Sequence, residues 1–484
     1  MTADRPTGNR YAHLLGGCLC HSPAAQTVNR RLSTDLSRRA LLGGLAGALT
    51  LAALPAPVHA AAPAETRPLR FTNVRIFDGL RDNLLDGRDV LVTGDRIAAL
   101  PTRDEAIDDA RVIDCGGRVL MPGLIDVHWH TILCAVPLAA AMTADIAYLH
   151  LLAAEEAGRT LQRGFTTVRD VGGPAFALKR TIDEGRLPGP RIFPSGAMIS
   201  QTSGHGDFRF RTEVPRSAFN SLSTSEAAGI SAIADGVPEM LRRVREQLML
   251  GASQIKIMVG GGVASSYDPI GSLQFTPDEI RAAVAAAGDW GTYVAAHVYT
   301  SAGIIRALEA GVRSIEHGQL ADRETARRIA DAGATWSIQP FLADEDANIY
   351  ADPVQRADQK KIADGTVAAF GFLRDFRIPM GWGTDVLFNP KGTKTQGRQL
   401  TKMARWFSPA EVLKMATSGN ARVLALSGDR SPYPAPLGVI QPGAHADLLV
   451  VNGNPLTDLD LIATPETGLS LILKAGRVEK TLLG

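Results

Sequence analysis

The sequence predicts an α/β protein: a TIM-like (β/α)8 barrel with a small β-sandwich domain built from both chain ends. Three observations carry that expectation. From residue 123, short apolar segments alternate with helical stretches over roughly 300 residues, the rhythm of a parallel barrel. Short alternating segments with Gly-Asp and Asn-Gly turn signals lie on either side of that region. Finally, side chains able to bind a cation recur at the ends of the apolar segments, the rim where a barrel keeps its chemistry.

Residues 1–60 are set apart as a signal peptide of the twin-arginine type. Ser37-Arg38-Arg39-Ala40-Leu41-Leu42 opens an uncharged apolar run from Leu41 to Leu54, and Val58-His59-Ala60 is a small-x-small cleavage pattern. The run is too short for a bilayer span, so export to the periplasm without stable membrane insertion is expected; an uncleaved anchor is the alternative. The leader takes six basic and two acidic residues with it, leaving 45 against 48. Mixed signs at that balance give no electrostatic footprint for nucleic acid or an anionic membrane. Cys18 and Cys20 lie in the leader; Cys115 and Cys134 make neither a disulfide framework nor a Cys-rich zinc pattern.

Residues 61–122 read as the first part of the β-sandwich. Leu69–Phe77 alternates and stops at Asp78-Gly79. Asp89–Thr93 and Arg96–Leu100 flank Gly94-Asp95 as a hairpin, and Arg111–Asp114 with Arg118–Met121 form a second pair around Gly116-Gly117. The barrel is expected over 123–435. Its eight strands are Leu124–His128, Thr166–Asp170, Arg191–Ser195, Gln254–Val259, Tyr293–His297, Ser314–His317, Thr335–Gln339 and Met380–Thr384. Helical stretches such as Ala144–Arg163, Val237–Leu250 and Pro277–Gly288 separate them, and a last helix covers Pro409–Leu426. The Ser/Gly-rich stretch 200–236 reads as a loop over the barrel mouth. Residues 436–484 return to strands, Ala446–Val451 and Ser470–Lys474, with a closing hairpin at Lys474–Val478, and complete the sandwich.

His128 and His130 stand two apart at the end of the first barrel strand, so both imidazoles leave it on one side. His297 ends the fifth strand, His317 the sixth, and Asp385 follows the eighth; Lys256 lies inside the fourth, between Ile255 and Ile257. A free ammonium there is costly. One resolution is a buried carboxylate partner. The other is a carbamate formed from CO2 on a lysine whose pKa burial has lowered, an anion able to bridge two cations.

This set resembles the binuclear amidohydrolase superfamily. Met121-Pro122-Gly123-Leu124-Ile125-Asp126, Gly438-Val439-Ile440 and Pro442-Gly443-Ala444-His445-Ala446-Asp447-Leu448 resemble its pattern as well. Gly204-His205-Gly206-Asp207, Gly260-Gly261-Gly262 near Tyr267-Asp268-Pro269, His297-Val298-Tyr299 and Ile315-Glu316-His317-Gly318 are similar to its prolidase-like and imidazolonepropionase-related branch. That branch includes carboxypeptidase-like enzymes and ochratoxin-hydrolysing amidases. The resemblance implies two divalent ions, with zinc the expected metal. His128, His130 and Asp385 would hold one, His297 and His317 the other, with carboxylated Lys256 between them. It also implies a homo-oligomer.

The expected activity is hydrolysis of the amide bond of N-acyl amino acids or dipeptides with a free carboxylate, ochratoxin A included. Attack would come from a hydroxide bridging the ions, with Asp385 moving its proton. His205 on the mouth loop is a candidate oxyanion donor, or else an exposed loop histidine. Tyr299 and Tyr267 are candidate substrate contacts, or else wall. Two other functions stay open: a mononuclear deaminase or cyclic amidohydrolase, which has no need of Lys256, and a non-catalytic exported binding protein.

Overall fold

The computed structural model describes residues 67–213, 221–264 and 267–483. The expected leader, 1–60, lies outside them. Six short strands come first: β1 (Leu69–Thr72), β2 (Arg75–Ile76), β3 (Val90–Thr93), β4 (Arg96–Ala99), β5 (Arg111–Asp114) and β6 (Val119–Pro122). Ten follow in the central region: β7 (Leu124–Trp129), β8 (Phe165–Asp170), β9 (Arg191–Pro194), β10 (Met198–Ser200), β11 (Ser231–Ile233), β12 (Ile255–Met258), β13 (Val294–Thr300), β14 (Ser314–Leu320), β15 (Thr335–Ile338) and β16 (Met380–Trp382). Three close the chain: β17 (Leu448–Val451), β18 (Leu469–Lys474) and β19 (Arg477–Thr481).

The chain ends meet in two sheets, ordered β4-β3-β1-β5 and β19-β18-β17-β6-β2. β17 runs antiparallel to β6, with Leu449 opposite Met121, which joins residues more than 300 apart in sequence. Phe71, Val90 and Ile97 of one sheet share a fully buried cluster with Leu120, Leu448 and Leu473 of the other. The hairpin at Gly94-Asp95 forms as expected. The expected pairing of Arg111–Asp114 with Arg118–Met121 does not. β5 pairs in parallel with β1 and β6 with β2, each in a different sheet. The cause lies in burial. β6 is buried along its whole length and must sit inside a sheet, whereas β5 keeps a largely exposed face at an edge.

The central strands are parallel, in one sheet ordered β11-β10-β12-β13-β14-β15-β16 and another ordered β7-β8-β9. They are buried on both faces, the pattern of a sheet covered by helices. All eight expected strands form. Two more, β10 and β11, add to them; β11 and a helix at Thr224–Ala227 fall within 200–236, so that stretch is not wholly a loop. Strands of three residues show too little periodicity to be read from sequence. Helices Val237–Leu250 and Pro277–Gly288 span the expected residues, the second opened by a capping box of Thr276 and Glu279.

The end of the chain's parallel run is fastened to its beginning. The expected helix Pro409–Leu426 is interrupted by a π-helical turn at Met415–Gly419, which delivers Asn420 between β7 and β16. Asn420 accepts the Trp382 N–H at 2.8 Å and donates to the carbonyls of Ile125 at 2.6 Å and Trp382 at 2.7 Å. Buried Asp126 of β7 accepts from the Thr384 hydroxyl at 2.8 Å and from Gln396 at 3.0 Å. Among the described residues, no helix is long and apolar enough to cross a membrane.

Candidate metal centre

Register decides which side chains meet. β12 sets Met258 opposite His297 of β13, so Lys256 enters the same wall two residues below. β13 sets Val298 opposite His317 of β14. On the far side, the Asp385 N–H donates to the His128 carbonyl at 2.8 Å, which brings the end of β16 against β7. His317 and Asp385 both have positive φ, 73° and 54°. Non-glycine residues adopt that region at a cost, and they do so where surrounding structure dictates the side-chain direction.

The result is a buried cluster of imidazoles around one carboxylate. Asp385 lies 3.3 Å from His128 Nε2, 3.2 Å from His130 Nε2 and 3.9 Å from His317 Nδ1. His128, His317 and Asp385 offer ligand atoms within 4.8 Å of one another. The His297 ring centroid is 4.5 Å from that of His317. Lys256 is 2% exposed and interacts electrostatically with Glu316, Asp385 and Arg169. The structure therefore sets four histidines and Asp385 side by side, with buried Lys256 close enough to interact with Asp385.

The groups around them fix which nitrogen faces inward. Glu316 holds His128 Nδ1 at 2.8 Å, leaving Nε2 toward Asp385, and Gln339 Oε1 accepts from His317 Nδ1 at 2.7 Å and holds that ring. Glu316 is fully buried between His128 and Arg169, whose guanidinium donates to both its oxygens at 2.8 Å. Burial pushes Glu316 toward the neutral acid, but Arg169 and then His128 outweigh it and hold the carboxyl well below its usual range. Asp170 accepts the N–H groups of Thr131 at 2.7 Å and Gly172 at 3.1 Å, which fixes the turn behind His130. Sequence reasoning noted Glu316 within a motif but gave it no role, and gave none to Arg169 or Gln339. The available signal was two charged side chains and an amide inside or at the end of segments that read as barrel strands.

Burial lowers the pKa of His130, and takes His297 and His317 well below the ordinary value, so these imidazoles are neutral. Lys256 is pushed down to about 8 by burial, against the pull of Glu316 and Asp385. Burial alone would raise Asp385, yet the histidines, His128 first, hold it well below the carboxylate range. Neutral imidazoles with their second nitrogens anchored, an ionised carboxylate and a buried amine of lowered basicity form a donor set suited to divalent cations.

The weaker candidates divide. His205 stacks on His297, ring centroids 4.0 Å apart and planes within 15°. Tyr299 stacks on His317 at 5.1 Å; burial, then Asp385, raises its pKa well above 10 and keeps the phenol protonated. Tyr267 instead donates its hydroxyl to the Arg209 carbonyl, fastening one mouth loop to another.

Known proteins are similar to this chain in sequence and fold. Residues 119–482 match the profile of the Amidohydrolase family. Ochratoxinase of Aspergillus niger is 32% identical over 329 residues; the matched stretch is 66% of this chain and 66% of that protein's length, just under two thirds. A solved amidohydrolase superposes with a TM-score of 0.78 at 37% identity, covering 86% of this chain and 100% of its own. A solved prolidase complexed with N-methylphosphonate-L-proline gives the same TM-score of 0.78 at 33% identity, again covering 86% of this chain and 100% of its own.

Proposed function

The chain belongs to the amidohydrolase family, and we propose that it is a binuclear metal-dependent hydrolase of amide bonds in N-acyl amino acids or dipeptides with a free carboxylate, ochratoxin A among them. One observation carries this reading: four imidazoles cluster about Asp385 in a buried site, beside a buried lysine of lowered basicity. The names of the ochratoxinase and prolidase relatives support the substrate class. The two parallel sheets, tied by Asn420 and Asp126, are read as one (β/α)8 barrel, and the paired end sheets as its β-sandwich companion.

His128, His130 and Asp385 would hold one ion, His297 and His317 the other, with a carbamate on Lys256 between them. Bound there, the ions, zinc in this reading, would supply an acidified water and polarise the scissile carbonyl. Asp385 Oδ1, between the His128 and His130 imidazoles, would take the proton that the attacking water gives up and pass it to the departing amine. The protonated Tyr299 hydroxyl donates to substrate beside His317, and His205 donates from above His297. Tyr267 lines the loop side of the substrate space. Export to the periplasm through the leader and assembly into a homo-oligomer complete the reading.

Metal analysis of the purified protein together with an N-acyl-phenylalanine and Xaa-Pro panel tests it. About two metal ions per chain and amide cleavage are expected; less than one metal and no cleavage would overturn it. The compact trio of His128, His317 and Asp385 also suits a single ion, as in a mononuclear deaminase or cyclic amidohydrolase. That reading gains if Lys256→Ala leaves turnover intact.

A further inference from the structure

We propose that Asp268 is a positioning residue that acts through His205, fixing the ring at the mouth of the centre; this rests on the hydrolytic reading above. His205 sits on a loop, where an imidazole would ordinarily sample several rotamers, yet it is confined on three sides. One face stacks on His297 at 4.0 Å. The other meets Gly262, where a Cβ would lie 2.0 Å from His205 Cε1, so only a residue without a side chain admits the ring. At its edge, Nδ1 lies 3.4 Å from Asp268 Oδ2. Asp268 is itself buried, its side chain 2% exposed.

Asp268 is held from behind. Its Oδ2 accepts the Gly262 N–H at 3.0 Å and Gln274 Nε2 at 3.0 Å. Gln274 in turn accepts the His205 N–H through Oε1 at 2.9 Å and donates its own N–H to the Val259 carbonyl at 2.9 Å. The carboxylate, the amide and the glycine backbone thus form one bracket that grows from the end of β12. With Nδ1 facing Asp268, the opposite edge of the ring, Nε2, is turned away from that carboxylate. The bracket gives a loop histidine the orientation that oxyanion or carboxylate recognition demands, and a bare ion pair would not need the second and third contacts.

The test is a double-substitution cycle on the metal-loaded enzyme with an N-acyl-phenylalanine substrate. Asp268→Ala should lower kcat about 10- to 100-fold with KM nearly unchanged. In a His205→Ala background the same substitution should cost almost nothing, because its route of action is gone. Asp268→Asn, which keeps an acceptor oxygen, should restore part of the loss, and it replaces the alanine variant in the cycle should that one fail to fold. A crystal structure of the metal-free variant gives a second readout: the His205 ring should leave its stack on His297. Multiplicative losses in the double variant, or an unmoved His205 ring, overturn the proposal. A wild-type enzyme that cleaves no amide overturns the hydrolytic reading instead, and the ring position still decides the role of Asp268.

Discussion

Lys256 shows how strongly one residue's surroundings set its chemistry. A lysine at about 8 is partly neutral near physiological pH, and only the neutral amine adds CO2. Lys256→Ala should therefore lower kcat about 1000-fold, equivalent to about 4 kcal/mol, and added acetate or propionate should restore part of it by standing in for the carbamate. Glu316 behaves differently because its partner cannot be neutralised. Glu316→Gln leaves Arg169 buried without a counter-charge, which costs about 3–5 kcal/mol in urea unfolding. Far from the centre, His445 is 5% exposed, and neither ring nitrogen finds a hydrogen-bond partner among the described residues. Burial, then Arg191, takes it from 6.5 to about 4; Arg96 pushes the same way, and Asp447 and Asp95 oppose. A folded pKa below the unfolded one means that its contribution is whole above pH 6.5 and lost as pH falls toward 4. His445→Phe should flatten the stability profile across that window, measured by circular dichroism at a series of pH values.

At the scale of elements, the centre depends on how closely β7 and β16 approach. Gly383, just after β16, leaves room for the His128 backbone: a Cβ there would lie 2.5 Å from His128 N. No flexible side chain can move aside at that contact. Gly383→Ala should cost about 1–3 kcal/mol in stability and lower metal content together, since the same shift displaces His128 and Asp385. Loss of stability with full metal content would show instead that the strands move apart without disturbing the ligands. The π-helical turn at Met415–Gly419 belongs to the same junction. An unbroken α-helix would present a different residue to Trp382 and Ile125, leaving their backbone groups without Asn420.

For the whole molecule, the proposed ligands come from both sheets of the parallel region, so in that reading metal binding links the two. Removal of metal with a chelator should lower Tm by a few degrees, and zinc should restore it. Ions at about 100 times their Kd contribute about 2.7 kcal/mol. An unchanged Tm would mean that no ion binds the folded cluster appreciably.

The alternation of apolar strands with helices was legible in the sequence because each period is local: eight central strands and the Val237–Leu250 and Pro277–Gly288 helices lie where residue spacing puts them. The six ligand candidates were legible for a related reason, since polar side chains at the ends of buried strands violate an otherwise apolar pattern. What the sequence left undecided depends on partners distant in the chain. β5 and β6 look alike as short strands and go to different sheets, a matter of what covers them. β10 and β11 are too short to carry a period. Glu316, Arg169, Gln339 and Asp268 acquire meaning only from the imidazole or guanidinium each one faces, and no spacing encodes that. Sequence determines the kind of element and the chemistry available at its end; which groups then share a hydrogen bond is decided by packing, because burial leaves each charge or donor only the partners that the fold brings within reach.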